Sequence, residues 1–235
     1  MTEFDTTAVI ECANLAPSVH NTQPWTFVDT DTGLDMYAEA GRRLDYLDPT
    51  SRQLHVSCGA AIEFAVLVTR AAGKACEVRL LPDPAKPDLL AQLEFGAAQP
   101  PSTLETDLAG AIPRRYTDRG PYSDRPVTPA LLVDVQTRCA ELGVWVRIID
   151  DHADRAVLTA ILADAEAHEA ADSDYAKELS QWTSAQPQEQ GLPLDAAPSW
   201  PDDVVSDVPL RDFTGHADHR HAGGGDAPPR VERDT

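Results

Sequence analysis

Apolar residues recur at helical spacing at Val9, Cys12, Ala13 and Ala16, with Asp5 placed to cap the first turn and Pro17 to stop it, which predicts a short N-terminal helix. The period then changes. Residues 24–28 and 34–38 alternate towards strands around Asp29-Thr30-Asp31-Thr32-Gly33, a hairpin with glycine near the end of its loop. Residues 52–72 are apolar around most of a helical circumference, with Asp48-Pro49 as cap and first turn and Gly73-Lys74 as stop. A helix apolar on all sides is expected to be buried. Its small residues Ser57, Gly59, Ala60 and Ala61 would admit another helix, although an ordinary core helix explains them equally well. Short strands are predicted at 77–81 and 92–95, and Gln99-Pro100-Pro101-Ser102 reads as a linker. Beyond it, Thr128-Pro129 opens a helix running to Gly143, 144–149 reads as a strand, and helices follow at 154–168 and 175–182. The two parts are similar in plan, and the class is α+β.

The chain has 235 residues, 42% of them hydrophobic, enough for a real core. With 39 acidic against 19 basic residues, the net charge is -20. That charge repels nucleic acid and anionic membrane surfaces, so neither is expected as a partner. Cys12, Cys58, Cys76 and Cys139 are far apart, without a C-x-x-C pair, and read as reduced core residues. With no N-terminal basic region and apolar run, and no apolar span of the roughly 20 residues that cross a bilayer, a cytoplasmic location is expected.

Two segments carry candidate chemistry. Ala16-Pro17-Ser18-Val19-His20-Asn21-Thr22-Gln23-Pro24-Trp25 is a loop dense with polar side chains between a helix and a strand. It reads either as a packed turn in which Asn21 and Gln23 satisfy backbone groups or as a ligand loop. In the second case, changing Asn21 or Gln23 to Ala weakens ligand binding and leaves the ligand-free melting temperature nearly unmoved. Arg114-Arg115-Tyr116-Thr117-Asp118-Arg119 is a basic cluster in an acidic chain. It is a solvated turn, with Asp118 offsetting part of its charge, or a phosphate grip of guanidinium forks and a hydroxyl. The stretch 183–213 is broken by Pro187, Gly191, Pro193, Pro198, Pro201 and Pro209 but anchored by Trp182, Leu192, Leu194, Trp200 and Leu210, as an ordered loop or a linker. In the tail, His216, His219 and His221 lie among Asp, Arg and Gly, which fits a solvated linker better than a metal site.

The order A-P-S-x-x-N-x-Q-P-W closely resembles the flavin-contacting loop of the nitroreductase superfamily, and Arg115-x-Thr117-x-Arg119 resembles its FMN phosphate turn. The loop precedes the turn here, and 48–61 (Asp-Pro-Thr-Ser-Arg-Gln-Leu-His-Val-Ser-Cys-Gly-Ala-Ala) adds a third likeness; both features resemble the dormancy-associated, Acg-type branch. The resemblance implies a nitroreductase-like α+β fold of two fused subunit-like halves around one FMN. Residues 1–100 would be the first half, 101–182 the start of the second, 183–215 a lid-like loop and 216–235 a flexible tail. The family continues into further strands and a core helix, so the second half is expected to be incomplete here. Ser18, Asn21 and Gln23 would contact the flavin, and Arg114, Arg115, Thr117 and Arg119 its phosphate and ribityl chain. The implied activity is hydride transfer from NAD(P)H through FMN to a nitroaromatic or quinone, with no catalytic side chain assigned. The alternative is an FMN-sequestering protein with a covered flavin. A small-molecule acceptor, and a monomer of pseudo-dimeric halves or a weak homodimer, are the expected partners.

Overall fold

In the computed structural model, residues 4–118, 125–184 and 190–193 are described. Helix α1 (Thr6–Ala13) starts as expected: the Asp5 carboxylate accepts the N–H groups of Thr7 and Ala8 at 3.0 and 3.3 Å, two donors that a helix start leaves open. It closes before Pro17. Asn14 is its C-cap, and the Asn14 side-chain oxygen accepts the Trp25 indole N–H at 2.9 Å, which fastens the helix end to the first strand.

Strands β1 (Trp25–Asp29) and β2 (Gly33–Ala38) form the hairpin, and β3 (Lys74–Leu80) and β4 (Leu89–Ala98) are longer than their alternating cores suggest. The sheet is antiparallel, in the order β1-β2-β4-β3. Gly33 is required by close approach, since a Cβ there would lie 1.9 Å from the Leu93 carbonyl oxygen. Leu34, Met36, Ala91 and Leu93 are buried on one face. The opposite face is wetter: Gln92 donates to Asp35 at 3.0 Å, and Arg79 pairs with Glu94.

Helix α2 (Arg52–Ala71) covers the apolar face, where Leu54, Cys58, Ala61, Ile62, Ala65 and Val66 join Val9, Ala13, Trp25, Leu34, Met36 and Leu93 in one core. By length and apolarity alone α2 would cross a bilayer, with mean hydropathy 1.3. Here it is the helix on which α1 and the sheet pack. Two expectations are corrected. The residue before the helix is Ser51, at φ 58, and Asp48 caps from further upstream, its buried carboxylate accepting the Leu54 N–H at 2.8 Å. Nor is α2 buried all round: Val56 is 63% exposed, and among the described residues nothing lies within 4 Å of a Cβ at Gly59. A helix laid on a single sheet buries one stripe, whatever the composition of its other side.

The linker Gln99–Ser102 has no helix or strand, and a helix that the sequence reading did not assign follows it at once, α3 (Thr103–Ala111). Ser102 Oγ accepts the Glu105 N–H at 3.2 Å while Glu105 Oε2 accepts the Ser102 N–H at 2.7 Å, a reciprocal cap that fixes the helix start. Then come α4 (Pro129–Glu141), α5 (His152–Ala171) capped by Asp151, and α6 (Ser173–Gln181) capped by Asp172. The strand expected at 144–149 does not form, because among the described residues no strand lies beside it. The helix–strand plan of the first part is therefore not repeated there. Trp145 is 81% exposed and Leu142 76%, and Val133 of α4 and Val157 and Ile161 of α5 are exposed as well. Two residue pairs, β5 (Thr183–Ser184) and β6 (Leu192–Pro193), bridge in parallel. All four cysteines are free, with Cys58 and Cys76 buried. The tail histidines and most of 183–215 lie outside the described residues.

Candidate functional site

The loop after α1 is gripped from beneath by α2. Val19 N–H donates to Ser57 Oγ at 3.4 Å, the Ser57 hydroxyl donates to the Gln53 carbonyl at 2.8 Å, and the Cys58 thiol donates to the Pro24 carbonyl at 3.4 Å. Burial pushes the Cys58 thiol up to about 12, so it stays a protonated donor. Of the small residues of α2, Ser57 serves this loop, while Ala61 lies in the core with Val9 and Ala13 of α1. Ser18 Oγ accepts the Gln23 N–H at 2.9 Å and closes the loop on itself.

Three residues in this loop adopt the left-handed region: His20 at φ 50, Asn21 at φ 53 and Gln23 at φ 46. Asn and His tolerate this conformation better than most side chains, and Gln has no such excuse. Each such residue costs on the order of 1–3 kcal/mol and persists where its surroundings over-determine it, which happens preferentially at binding sites.

The surroundings can be named. Arg42, half-buried at the end of the 3-10 turn Ala40–Arg42, donates Nη1 to the Gln23 carbonyl at 2.6 Å. With the Gln190 amide turned so that its oxygen faces the guanidinium, that oxygen accepts Nη1 at 3.1 Å and Nη2 at 3.0 Å. Gly191 N–H donates to the Asn21 carbonyl at 3.1 Å, and Asn21 Nδ2 donates back to the Gly191 carbonyl at 3.3 Å. Glycine is needed at 191, where φ is +87 and a Cβ would lie 2.8 Å from the Trp182 carbonyl oxygen. From α6, the Glu178 carboxylate accepts the N–H groups of Tyr46 (3.2 Å) and Leu47 (3.0 Å). A narrow cleft of about 10 Å³ lies between Val19, Thr22, Arg42, Asp48, Gln53 and Ser57, room for about one water molecule. Ligand pockets run to roughly 300–1,000 Å³, so this cleft does not itself hold a cofactor-sized molecule.

The basic turn follows the 3-10 turn Ile112–Arg114, anchored by buried Ile112. Arg115 Nη2 donates to the Leu15 carbonyl at 3.2 Å and Nη1 to Thr117 Oγ1 at 3.4 Å. One guanidinium thereby links the residue just before the polar loop to a turn 100 residues later. Arg114, Arg115 and Thr117 are exposed, and Arg119 lies outside the described residues. Among the expected residues, Ser18, Asn21 and Gln23 share one loop, and Arg115 and Thr117 pair beside its approach. The chemistry of the donor set fits a phosphorylated flavin: exposed guanidinium and hydroxyl groups for a dianionic phosphate, and side-chain amides for a heterocycle's polar edge. Arg42, Asp48, Glu178 and the pair Gln190–Gly191 were missed by sequence reasoning. Glu178 and Gly191 meet their partners far along the chain, whereas Asp48, six residues before Leu54, was read only as a helix cap and Gly191 only as a break in periodicity.

No family model matches the chain. Curated proteins of Mycobacterium tuberculosis (strain ATCC 25618 / H37Rv) do: one named "Putative NAD(P)H nitroreductase Rv3131" is 34% identical over 209 residues, 88% of this chain and 58% of its own length. One named "Putative NAD(P)H nitroreductase acg" is 32% identical over 186 residues, 79% of this chain and 56% of its own length. The chain is similar to proteins named nitroreductases. A third, "Uncharacterized protein Rv3127", is 31% identical over 84% of the chain and 60% of its own length. These nitroreductase names support the superfamily assignment, and the α+β architecture is consistent with a nitroreductase-like fold. The chain spans little more than half the length of these relatives.

Proposed function

We propose that the chain binds FMN along the Asn21/Gln23 loop and the Arg115/Thr117 turn, and acts as a nitroreductase-like oxidoreductase that uses NAD(P)H to reduce a nitroaromatic or quinone. The observation that carries this reading is the 3.2 Å bond from Arg115 to the carbonyl of Leu15, the residue before Ala16, because it brings the basic turn to the start of the other motif-bearing segment. Arg115 and Thr117, with Arg114 and Arg119, would hold the phosphate and ribityl chain through charge-assisted bonds. Asn21 and Gln23 would offer their amides to the flavin's polar edge, while Ser18 keeps the loop in shape through the Gln23 N–H. When bound, FMN supplies the redox chemistry, accepting hydride from the nicotinamide and delivering it to the acceptor. The protein's part is to bind, orient and limit access, and no side chain is assigned as acid or base. The names of the relatives support NAD(P)H as the donor.

A second reading is an FMN-sequestering protein with little turnover. It is favoured by the docking of Gly191 on Asn21 through two hydrogen bonds, which occupies part of the loop's polar surface. The absorption spectrum of the purified full chain, after incubation with FMN and desalting, tests both. A flavin band that bleaches promptly with NADPH under anaerobic conditions supports the oxidoreductase, and a band that persists supports sequestration. Absence of any retained flavin overturns both.

A further inference from the structure

Arg42 grips both the strained loop and the segment docked on it. Its Nη1 donates to the carbonyl of left-handed Gln23 at 2.6 Å, and both terminal nitrogens face the Gln190 amide oxygen at 3.1 and 3.0 Å. Gln190 is followed by Gly191, whose backbone exchanges two hydrogen bonds with Asn21. The loop, Arg42 and 190–191 therefore form a closed circuit around the two amide-bearing residues of the candidate site. We propose that Arg42 is a positioning residue: its guanidinium sets the Gln23 backbone and holds 190–191 on the loop, so that the presentation of Asn21 and Gln23 and the docking of 190–191 both depend on this one side chain. The consequence for FMN retention rests on the function proposed above, and the dependence on Arg42 itself does not.

A planar guanidinium suits this double duty. Its fork of fixed donors serves two acceptors at once, whereas an ammonium on a flexible stem serves as a point charge. Half-burial of Arg42 limits competition from water, and the acceptors on both sides are neutral oxygens that lose nothing by sharing one cation. Losing a hydrogen bond to a charged group corresponds to about tenfold or more in an opening equilibrium.

Amide hydrogen exchange on the full, FMN-free chain tests this dependence, with exchange of the Gln23 N–H (bonded to Ser18) and the Gly191 N–H (bonded to Asn21) as readouts. Arg42→Ala is expected to speed both by about tenfold or more, and Gln190→Ala to speed Gly191 alone. Arg42→Lys, which keeps charge and length should the alanine variant fold poorly, is expected to protect Gln23 and release Gly191. FMN dissociation, followed by recovery of flavin fluorescence, should accelerate in the order Arg42→Ala, Gln190→Ala, wild type. Unchanged Gly191 exchange in both Arg42 variants overturns the proposal. If wild type retains no FMN, the proposed function fails, while the exchange data still decide the role of Arg42.

Discussion

Asn21 separates backbone strain from side-chain chemistry. The residue sits at φ 53, and its amide donates to the Gly191 carbonyl at 3.3 Å. Asn21→Ala loses that bond, worth about 0.5–1.5 kcal/mol, and forces a Cβ-bearing residue without a compensating polar group into the left-handed region, costing about 1–2 kcal/mol. Asn21→Gly loses the same bond but adopts positive φ freely. For a chain of this size 1 kcal/mol moves the melting temperature by about 2–4 °C, so the alanine variant should melt about 2–8 °C below the glycine variant. The expectation that alanine leaves the ligand-free protein nearly unmoved is thereby revised, because the loop backbone is not relaxed. Flavin affinity should follow the other logic: if the amide contacts FMN, both variants lose it alike. Differential scanning fluorimetry of the FMN-free proteins, paired with fluorescence titration of FMN, reads both quantities. Equal melting temperatures would refute strain at this position, and affinities that track stability would refute a direct role for the amide.

The double variant Arg115→Ala with Arg119→Ala should weaken FMN by at least about a hundredfold, at roughly 1.5–3 kcal/mol per charged hydrogen bond, and an unchanged dissociation constant by titration would make the turn a solvated surface. Burial holds the thiols of Cys58 and Cys76 at about 12 and 11, so both stay protonated and unreactive to iodoacetamide up to pH 9 in the native protein, as peptide mass spectrometry would report, and label only on unfolding. Gly33→Ala should abolish soluble folding, because its Cβ meets the Leu93 carbonyl oxygen at 1.9 Å, whereas Gly59→Ala, with open space at that Cβ, should gain about 1 kcal/mol of helix propensity and melt slightly higher.

The parts of the fold written into local pattern were legible. Asp5, the 29–33 hairpin and the helical run of α2 act through neighbours within a few residues, so spacing alone reveals them. Where the reading failed, the cause was non-local or overlooked. The Ser102–Glu105 cap of α3 was visible but hidden behind Pro100-Pro101. The alternation at 144–149 says strand, yet a strand exists only beside another, and spacing cannot supply the partner. At the site, the sequence pointed to the polar loop and the basic turn, and Arg115 does bridge towards that loop. The left-handed backbone at His20, Asn21 and Gln23 was not readable, because contacts from distant parts of the chain, α2, Arg42 and Gly191 among them, hold this loop.

The uncovered apolar surface around 142–149 bears on colloidal behaviour. Val144-Trp145-Val146-Arg147-Ile148-Ile149 has high β-propensity, no proline and a single charge, and Arg147 is engaged with Asp154. Such a segment, outside any sheet among the described residues, is a template for edge-to-edge pairing between molecules. The net charge of -20 opposes that encounter at long range. Because the repulsion is screened within about 10 Å at 0.1 M salt and apolar contact is not, added salt should turn a well-dispersed solution into one whose light scattering climbs with protein concentration.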